Sequence, residues 1–492
     1  MELRRKTPIM GWASWNAFRV DINEEKLKKQ ADCLVESGLA ACGYEYFNVD
    51  DGFFGGRDEN GKLCYHKDRF PNGIRCISDY VHSLGLKAGI YTEAGDNTCG
   101  YYYDSEIENG KGVGLYGYEE QDLRQFFVEE NFDFLKVDWC GGVRLGLNEK
   151  EQYSKLGRII EGLRQELKKP LVYNVCRWQF PGAWVADVAD SWRTAADIAP
   201  NYESILHQLD NIKPLHKYCG PGHVNDLDMM QIGNGLSLEE EKTHFAMWCM
   251  MSTPLMIGCD LTKLSQETLA ILKDEELIAI HQDKACLQAY PVKEIRNEAG
   301  ELIGEVWIKD LGEKNSKKKA VALLNRSRES IEIAVSKKEL YLDGAIFSIR
   351  DVSEHKQVEL CEELIEIITG CGVKVYVIEA EDIILSPIYE VDSEEIPREC
   401  KRIDLKEALE KAENGALLVD VREKAEYENG HLNGAINLPY MDIHGEVGFC
   451  LKDKEQELIV YCATGKRSSQ AEESLWYLGY KNVYYLGGIE NN

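Results

Sequence analysis

No apolar run in the chain approaches the roughly 20 residues that cross a bilayer. The opening stretch, MELRRKTPIMGWASWN, lacks the apolar core of a secretory leader. The expectation is a chain without membrane spans, placed in the cytoplasm by default. Basic residues are in deficit: 57 Lys and Arg stand against 85 Asp and Glu, a formal net charge of −28. Repulsion of that size disfavours phosphate backbones and anionic lipid surfaces, which excludes nucleic acid and membranes as expected partners. The sixteen cysteines contain no CxxC pair and no zinc spacing, so most of them read as buried or incidental thiols. No internal repeat and no low-complexity tract is present.

What remains is long and globular in character. At 492 residues, with 44% hydrophobic and 29% charged residues, the chain exceeds one ordinary core and suggests about three domains. Eight short apolar runs, PIMGWASWN, YEYFNVDDG, LKAGIYTEAG, FDFLKVDWCGG, LVYNVCRW, SWRTAADI, HVNDLDMM and TPLMIGCD, alternate with amphipathic stretches. That rhythm predicts parallel βα units, most simply closed as a (β/α)8 TIM barrel over residues 1–284. Two of the helices are legible from spacing: Leu27, Ala31, Leu34 and Val35 share one stripe, and Leu156, Ile159, Ile160, Leu163 and Leu167 another. From 285 to 385 the pattern changes to short alternating runs, predicting an antiparallel β-sandwich. An acidic link over 386–399 follows, and α/β texture returns over 400–492. The fold class is α/β.

Residues 134–142, FLKVDWCGG, place Lys136 and Asp138 within an apolar strand and stop it with Cys140 and two glycines. Buried charges need partners, so this reads as a polar site at a strand end. In a TIM barrel the carboxyl ends of the strands build the active site. At those ends lie Trp15, Asp50, Asp51, Tyr91, Lys136, Asp138, Arg177, Trp178, Arg193, Asp197, Asp226 and Asp228. A ring of acids with tryptophans suits a sugar, because carboxylates accept from hydroxyls and indole faces cover apolar C–H faces. Two such acids could form the pair that glycoside hydrolysis needs. A divalent cation on Asp50, Asp51, Asp226 and Asp228 is the competing reading. It ranks lower, because Lys136 and Arg193 would oppose the ion and no histidine cluster accompanies the acids; no metal and no cofactor is expected.

The segments PIMGWASWN, NVDDGF, GIYTEAGDNTCG, LKVDWCGG, SWRTAADI and NDLDMMQIGNGLS together resemble glycoside hydrolase family 27, over about residues 6–385. The resemblance implies a TIM barrel, an antiparallel β domain and retention by double displacement. It implies Asp138 as nucleophile and Asp197 as acid/base. It further implies Lys136 and Arg193 as hydroxyl contacts flanking them, Asp50 and Asp51 as holders of the 4- and 6-hydroxyls, and Trp15 as stacking platform. Tyr91, Cys176, Trp178 and Asp228 follow as further pocket residues. Lys136 is expected to keep Asp138 ionised. Cys140 matches a cysteine that faces the position of Cys99, as a disulfide or, in a reducing cytosol, as a pair of thiols.

Three departures bear on the sugar. Arg177 stands where many relatives carry Glu, at the contact with the 2-position. Glu93 replaces a more usual Asp, and VNDLDM lacks the usual Trp and Pro. Galactose is the expected sugar, with N-acetylgalactosamine and β-L-arabinopyranose as alternatives within the family. An alternative of another class is a noncatalytic sugar-binding barrel with its C-terminal module as output.

That module, LLVDVREKAEYENGHLNGAINLPY followed by VYCATGKRSSQA, resembles a single-domain rhodanese. Asp420, Arg422, Glu426, His431 and Gly434 carry the resemblance, with the loop Cys462, Gly465, Lys466, Arg467. Four residues separate Cys462 from Arg467, as in sulfurtransferases; the related phosphatase loop has five. Helix dipole, Lys466 and Arg467 are expected to favour a thiolate that carries persulfide sulfur. The expected partners are an α-galactoside-type saccharide and a small sulfur donor, with homo-oligomer formation left open.

Overall fold

The computed structural model describes residues 4–389, 401–440, 443, 450–451, 453–478 and 480–489. Eight short parallel strands form one sheet: β1 Met10–Ala13, β2 Tyr46–Val49, β3 Lys87–Glu93, β4 Phe134–Asp138, β5 Val172–Val175, β6 Ser191–Arg193, β7 Val224–Asp226 and β8 Leu255–Ile257. Their order is β8-β1-β2-β3-β4-β5-β6-β7. A parallel bridge from Met230, just beyond β7, to Ile257 joins the two edges. There Met230 N donates to Met256 O and Gly258 N donates to Met230 O. A closed parallel sheet buries both faces, which is why its strands read as continuous apolar runs rather than as alternation.

All eight runs are strands. Around them, helix α1 (Glu24–Glu36) is capped by the Asn23 side chain and buries Leu27, Ala31 and Leu34. Val35, expected on the same stripe, is 36% exposed. At 100° per residue it lies beyond the stripe's edge, so the apolar face is narrower than the spacing implied. Helix α2 (Glu149–Leu167) is capped by Asn148 and buries Leu156, Ile160 and Leu163. Helix α3 (Leu238–Met251) starts in a capping box between Ser237 and Glu240 and is buried continuously from Thr243 to Met251.

The chain divides into two compact units: residues 1–177, 183–193 and 198–389, and residues 178–182, 194–197 and 390–492. Within the first unit, the barrel is followed by β9 Tyr290–Arg296, β10 Leu302–Asp310, β11 Lys318–Asn325, β12 Ile331–Ser336, β13 Leu342–Asp351, β14 Lys356–Gln357, β15 Glu363–Ile368 and β16 Val373–Ile383. Six of these pair in the order β9-β10-β11-β16-β13-β14, and β12 pairs with β15. Every pairing is antiparallel. Val306, Ile308, Val321, Leu323, Ile333, Val335, Ile349 and Ile378 fill the core between them.

Residues 387–389 form a 3₁₀ turn; the remainder of the acidic link, 390–399, lies outside the described residues. The second unit holds a parallel sheet of β17 Arg402–Ile403, β18 Leu417–Asp420, β19 Ile436–Asn437, β20 Leu458–Tyr461 and β21 Val483–Leu486, ordered β17-β21-β20-β18-β19. Its strands are dressed on both faces. Val419 and Val460 enter one core, while Leu418, Ile459 and Tyr461 enter the other, as a period of two requires.

Candidate active site

The end of β2 carries two carboxylates with different duties. Asp50 receives its backbone position from Ser14, whose hydroxyl accepts the Asp50 amide at 2.9 Å. Its Oδ2 lies 2.8 Å from Lys136 Nζ. Asp51 is 1% exposed, and its two oxygens accept the amides of Gly52 and Gly100, each at 2.8 Å. Burial raises the Asp51 carboxyl to about 7, against the lowering pull of Thr98 and of the Gly100 and Gly52 amides. Gly100 must be glycine, since a Cβ there would meet Asp51 Oδ2 at 2.7 Å.

Lys136 lies at the centre of this group. Its Nζ is 5.2 Å from the Tyr91 ring centroid and 5.9 Å from that of Trp15, but 3.9 Å from Asp138 Oδ2. Burial opposes its charge, yet Asp50, Cys176 and Asp138 more than offset this and hold the ammonium well above the ordinary lysine value. Lys136, expected to serve Asp138, pairs with it at 3.9 Å and more closely with Asp50, reached from β4 across β3. Tyr91 is buried, and its hydroxyl accepts the Cys99 amide at 3.1 Å. Trp15 is half-buried, with the Arg19 guanidinium 4.6 Å from its ring.

Asp138 ends β4 and is 4% exposed; its Oδ1 accepts the Trp139 amide at 3.0 Å. Across the β3–β4 pairing it lies opposite Glu93, which is wholly buried. Glu93 accepts three amides: Gly95 at 2.8 Å and Gly142 at 3.2 Å on Oε1, and Cys140 at 2.8 Å on Oε2. Burial first, and Asp138 second, push the Glu93 carboxyl well above the carboxylate range. Cys99 and Cys140 are joined as a disulfide with Cα atoms 5.4 Å apart. Expected as a disulfide or as facing thiols, the pair is here a disulfide between the first residues of two short helices.

At the far side of the ring, Arg193 ends β6 and lies 2.8 Å from Asp228 Oδ2; its Nη1 is 3.9 Å from Cys176 Sγ. Asp228 is held at φ +79°, costly for a residue with a Cβ. Its Oδ1 accepts the Met229 amide and its Oδ2 the Ile198 amide, at 2.8 and 3.0 Å. Asp226 Oδ2 accepts from Asn174 Nδ2 at 2.8 Å. Asp50 and Asp228 each already carry a cationic partner, which disfavours a divalent ion on this carboxylate ring. A cavity of about 40 Å³ is lined by Asp50, Lys136, Asn174, Cys176, Arg193 and Asp228.

Arg177 is buried and its Nε donates to Glu149 at 3.0 Å, at the start of α2. Trp178 follows it and is half-buried, while Asp197 is exposed, four residues beyond β6. Ser14, Asn174 and Glu149 were not singled out in the sequence. Ser14, inside the GWASWN segment, and Asn174, inside LVYNVCRW, lie within segments that carry a signal; Glu149 does not.

In the second unit Cys462 follows β20, is fully buried, and its Sγ accepts the amides of Gly465 and Ser468 at 3.2 and 3.3 Å. Helix α4 (Lys466–Tyr477) begins at this loop. Gly465 has φ +94°, and a Cβ on it would meet Gly487 O at 1.7 Å. Arg467 makes two bonds to Glu426, at 2.6 and 2.8 Å, and Lys466 is exposed. The amides and the helix start, more than the two side chains, surround the sulfur. Arg422 pairs with Asp420 at 2.7 Å and reaches Gly430 O. His431 stacks on Tyr427 at 3.8 Å, and Gly434 takes φ +81°.

The family model described as alpha galactosidase A matches residues 7–283, and the rhodanese-like domain model matches residues 404–491. The α-galactosidase A of Cellvibrio japonicus is 38% identical over 371 residues, covering 70% of this chain and 85% of the relative. The α-galactosidase of Cyamopsis tetragonoloba is 35% identical, covering 76% and 86%. The solved α-galactosidase from Saccharomyces cerevisiae with raffinose aligns with a TM-score of 0.63 at 25% identity, covering 76% of this chain and 97% of that one. No helix among the described residues is long and apolar enough to cross a membrane. With the closed barrel, the β domain and the acid-lined strand ends, these matches show that the chain belongs to the α-galactosidases of glycoside hydrolase family 27 and carries a rhodanese-like domain over residues 404–491.

Proposed function

We propose that the barrel is a retaining exo-α-galactosidase. The observation that carries this reading is the cluster of Asp50, Lys136 and Asp138 at neighbouring strand ends. It offers two carboxylates and a shared ammonium where a hydroxylated ring would lie. Asp138 attacks the anomeric carbon while Asp197 donates its proton to the leaving oxygen. The glycosyl ester on Asp138 is then hydrolysed by a water whose proton Asp197 takes, restoring both groups. Asp50 and Lys136 orient hydroxyls, Trp15 covers the apolar face of the sugar, and Arg193, positioned by Asp228, supplies a further donor.

Glu93 supports galactose over β-L-arabinopyranose. Its extra methylene serves the backbone amides of two loops, which leaves the 6-hydroxymethyl pocket to Asp50 and its neighbours. The test is hydrolysis of aryl α-galactoside, aryl α-N-acetylgalactosaminide and aryl β-L-arabinopyranoside by the wild type, Asp138→Asn and Asp197→Asn. Cleavage of the galactoside, abolished in both variants, is the expected result. Galactose binding with no cleavage of any of the three would replace this reading with that of a sugar-binding barrel.

The C-terminal domain acts as a sulfurtransferase with Cys462 as the persulfide carrier. Its reading rests on the two amides aimed at Sγ and the four-residue spacing to Arg467. Sulfur transfer from thiosulfate to cyanide, lost in Cys462→Ser, tests it. A cytoplasmic setting accords with thirteen described cysteines that lie outside any disulfide.

A further inference from the structure

Beside Asp138, the nucleophile of the glycosidase reading, lie three further donors that take no part in the displacement. Glu93, Cys99, Asp138 and Cys140 are all buried, and one ligand atom from each lies within 4.8 Å of the others. Ligands on a tetrahedral ion, bonded at about 2.0–2.3 Å, lie roughly 3.5 Å apart, so these side chains need only small rotations to share one ion. The donor set is two sulfurs and two carboxylates. Thiolates select zinc-class cations over magnesium or calcium, which take oxygen alone. The amides of Gly95, Gly142 and Cys140 occupy three of the four lone pairs of Glu93 and fix its orientation, as supporting partners do in built metal sites. Lys136 lies 3.9 Å from Asp138 Oδ2, but its charge is matched by Asp50 at 2.8 Å.

We infer that, once the Cys99–Cys140 disulfide is reduced, the two thiolates, Glu93 and Asp138 hold one zinc-class divalent cation. A dithiol reductant supplies two electrons and two protons to the S–S bond and becomes a cyclic disulfide. The cation then takes up the two sulfurs and the Glu93 and Asp138 carboxylates, and both thiol protons, with the Glu93 carboxyl proton, leave to solvent. Because one ligand is Asp138, metal binding withdraws the carboxylate that attacks the sugar. The barrel is thus active when oxidised and silenced when reduced in the presence of the metal. The inhibition rests on Asp138 being the nucleophile; the binding does not.

The test uses the full chain, reduced with a dithiol, freed of it, and titrated with Cd²⁺ as a spectroscopic substitute for Zn²⁺. The controls are the unreduced protein, which retains its other thiols, and Cys99→Ser/Cys140→Ser. The reduced protein is expected to bind one Cd²⁺ more than either control, with the ultraviolet charge-transfer band of two thiolates, and Zn²⁺ is expected to displace it. Equal metal counts in all three samples overturn the inference. Should the double variant not fold, Glu93→Gln with both thiols retained is expected to weaken Cd²⁺ binding by about 10–100-fold; unchanged affinity overturns the four-ligand site. In the reduced enzyme, Zn²⁺ is expected to lower aryl α-galactoside hydrolysis on the order of tenfold or more, reversibly by chelator. An extra bound metal without inhibition would leave the site standing and remove Asp138 from it or from the nucleophile's role.

Discussion

Arg193 and Asp228 are 35 residues apart in sequence and 2.8 Å apart in space, and the aspartate reaches this position only by adopting φ +79°. One of its oxygens, Oδ2, meets both Arg193 and the amide of Ile198. It therefore pins the chain on both sides of residues 194–197, the segment that bears Asp197.

Replacing Asp228 with Asn keeps the shape and tolerates the left-handed backbone, but removes a buried counter-charge 2.8 Å from the Arg193 guanidinium. Breaking a buried pair this way costs about 3–5 kcal/mol. Urea unfolding is expected to show a loss of that size, with galactoside hydrolysis falling alongside it.

The Asp51 carboxyl, raised to about 7 by burial, binds its proton more tightly in the folded than in the unfolded chain. Such a group contributes stability that is complete below the unfolded value and is lost as pH rises through the folded one. Asp51→Asn removes this dependence. The difference in urea midpoint between about pH 5 and about pH 8 is expected to shift toward greater relative stability at the higher pH in the variant.

Gly100→Ala places a methyl 2.7 Å from Asp51 Oδ2 and 2.9 Å from Val20 Cγ1. The carboxylate cannot easily give way, since both Asp51 oxygens are bonded. Overpacking of this kind costs about 1–3 kcal/mol, which thermal unfolding would report as a lowered midpoint.

Gly465→Ala sets a Cβ against Gly487 O in a backbone region that disfavours side chains. The loop around Cys462 must shift, carrying the amides of Gly465 and Ser468 away from the sulfur. A displacement of about 1 Å can cost about 10²-fold in rate, so thiosulfate sulfurtransfer is expected to fall by that order.

The strands and their ends were legible because parallel barrel strands are short apolar runs and their polar terminal residues break the pattern. The pairings at those ends were not. Lys136 and Asp138, two apart on one strand face, invite a pairing that the structure holds at 3.9 Å, but the nearer partner, Asp50 at 2.8 Å, sits two strands away and leaves no local signal. Asp228 looked like one more pocket acid; its positive φ and its hold on Ile198 depend on long-range contacts that leave no local signal. Arg177 reads from the sequence as a contact to the 2-position, and nothing local in the sequence indicates that its Nε also donates to Glu149, 28 residues earlier. Glu93, noted only as a longer carboxylate, derives its role from three amides on two loops.

Lys309, on β10, is wholly buried and donates to Cys249 O, Ser252 Oγ and Ile280 O at 3.2, 2.7 and 2.7 Å. The first two lie at the C-terminal end of α3, so the β domain supplies the cation that closes a barrel helix. Tyr202 and Thr243 of the barrel likewise bond to Asn325 O and Cys371 O of the β domain. The β domain is therefore no independent cassette: a barrel cut at residue 284 would lose the cation at the end of its last long helix, together with the carbonyls that Tyr202 and Thr243 bond.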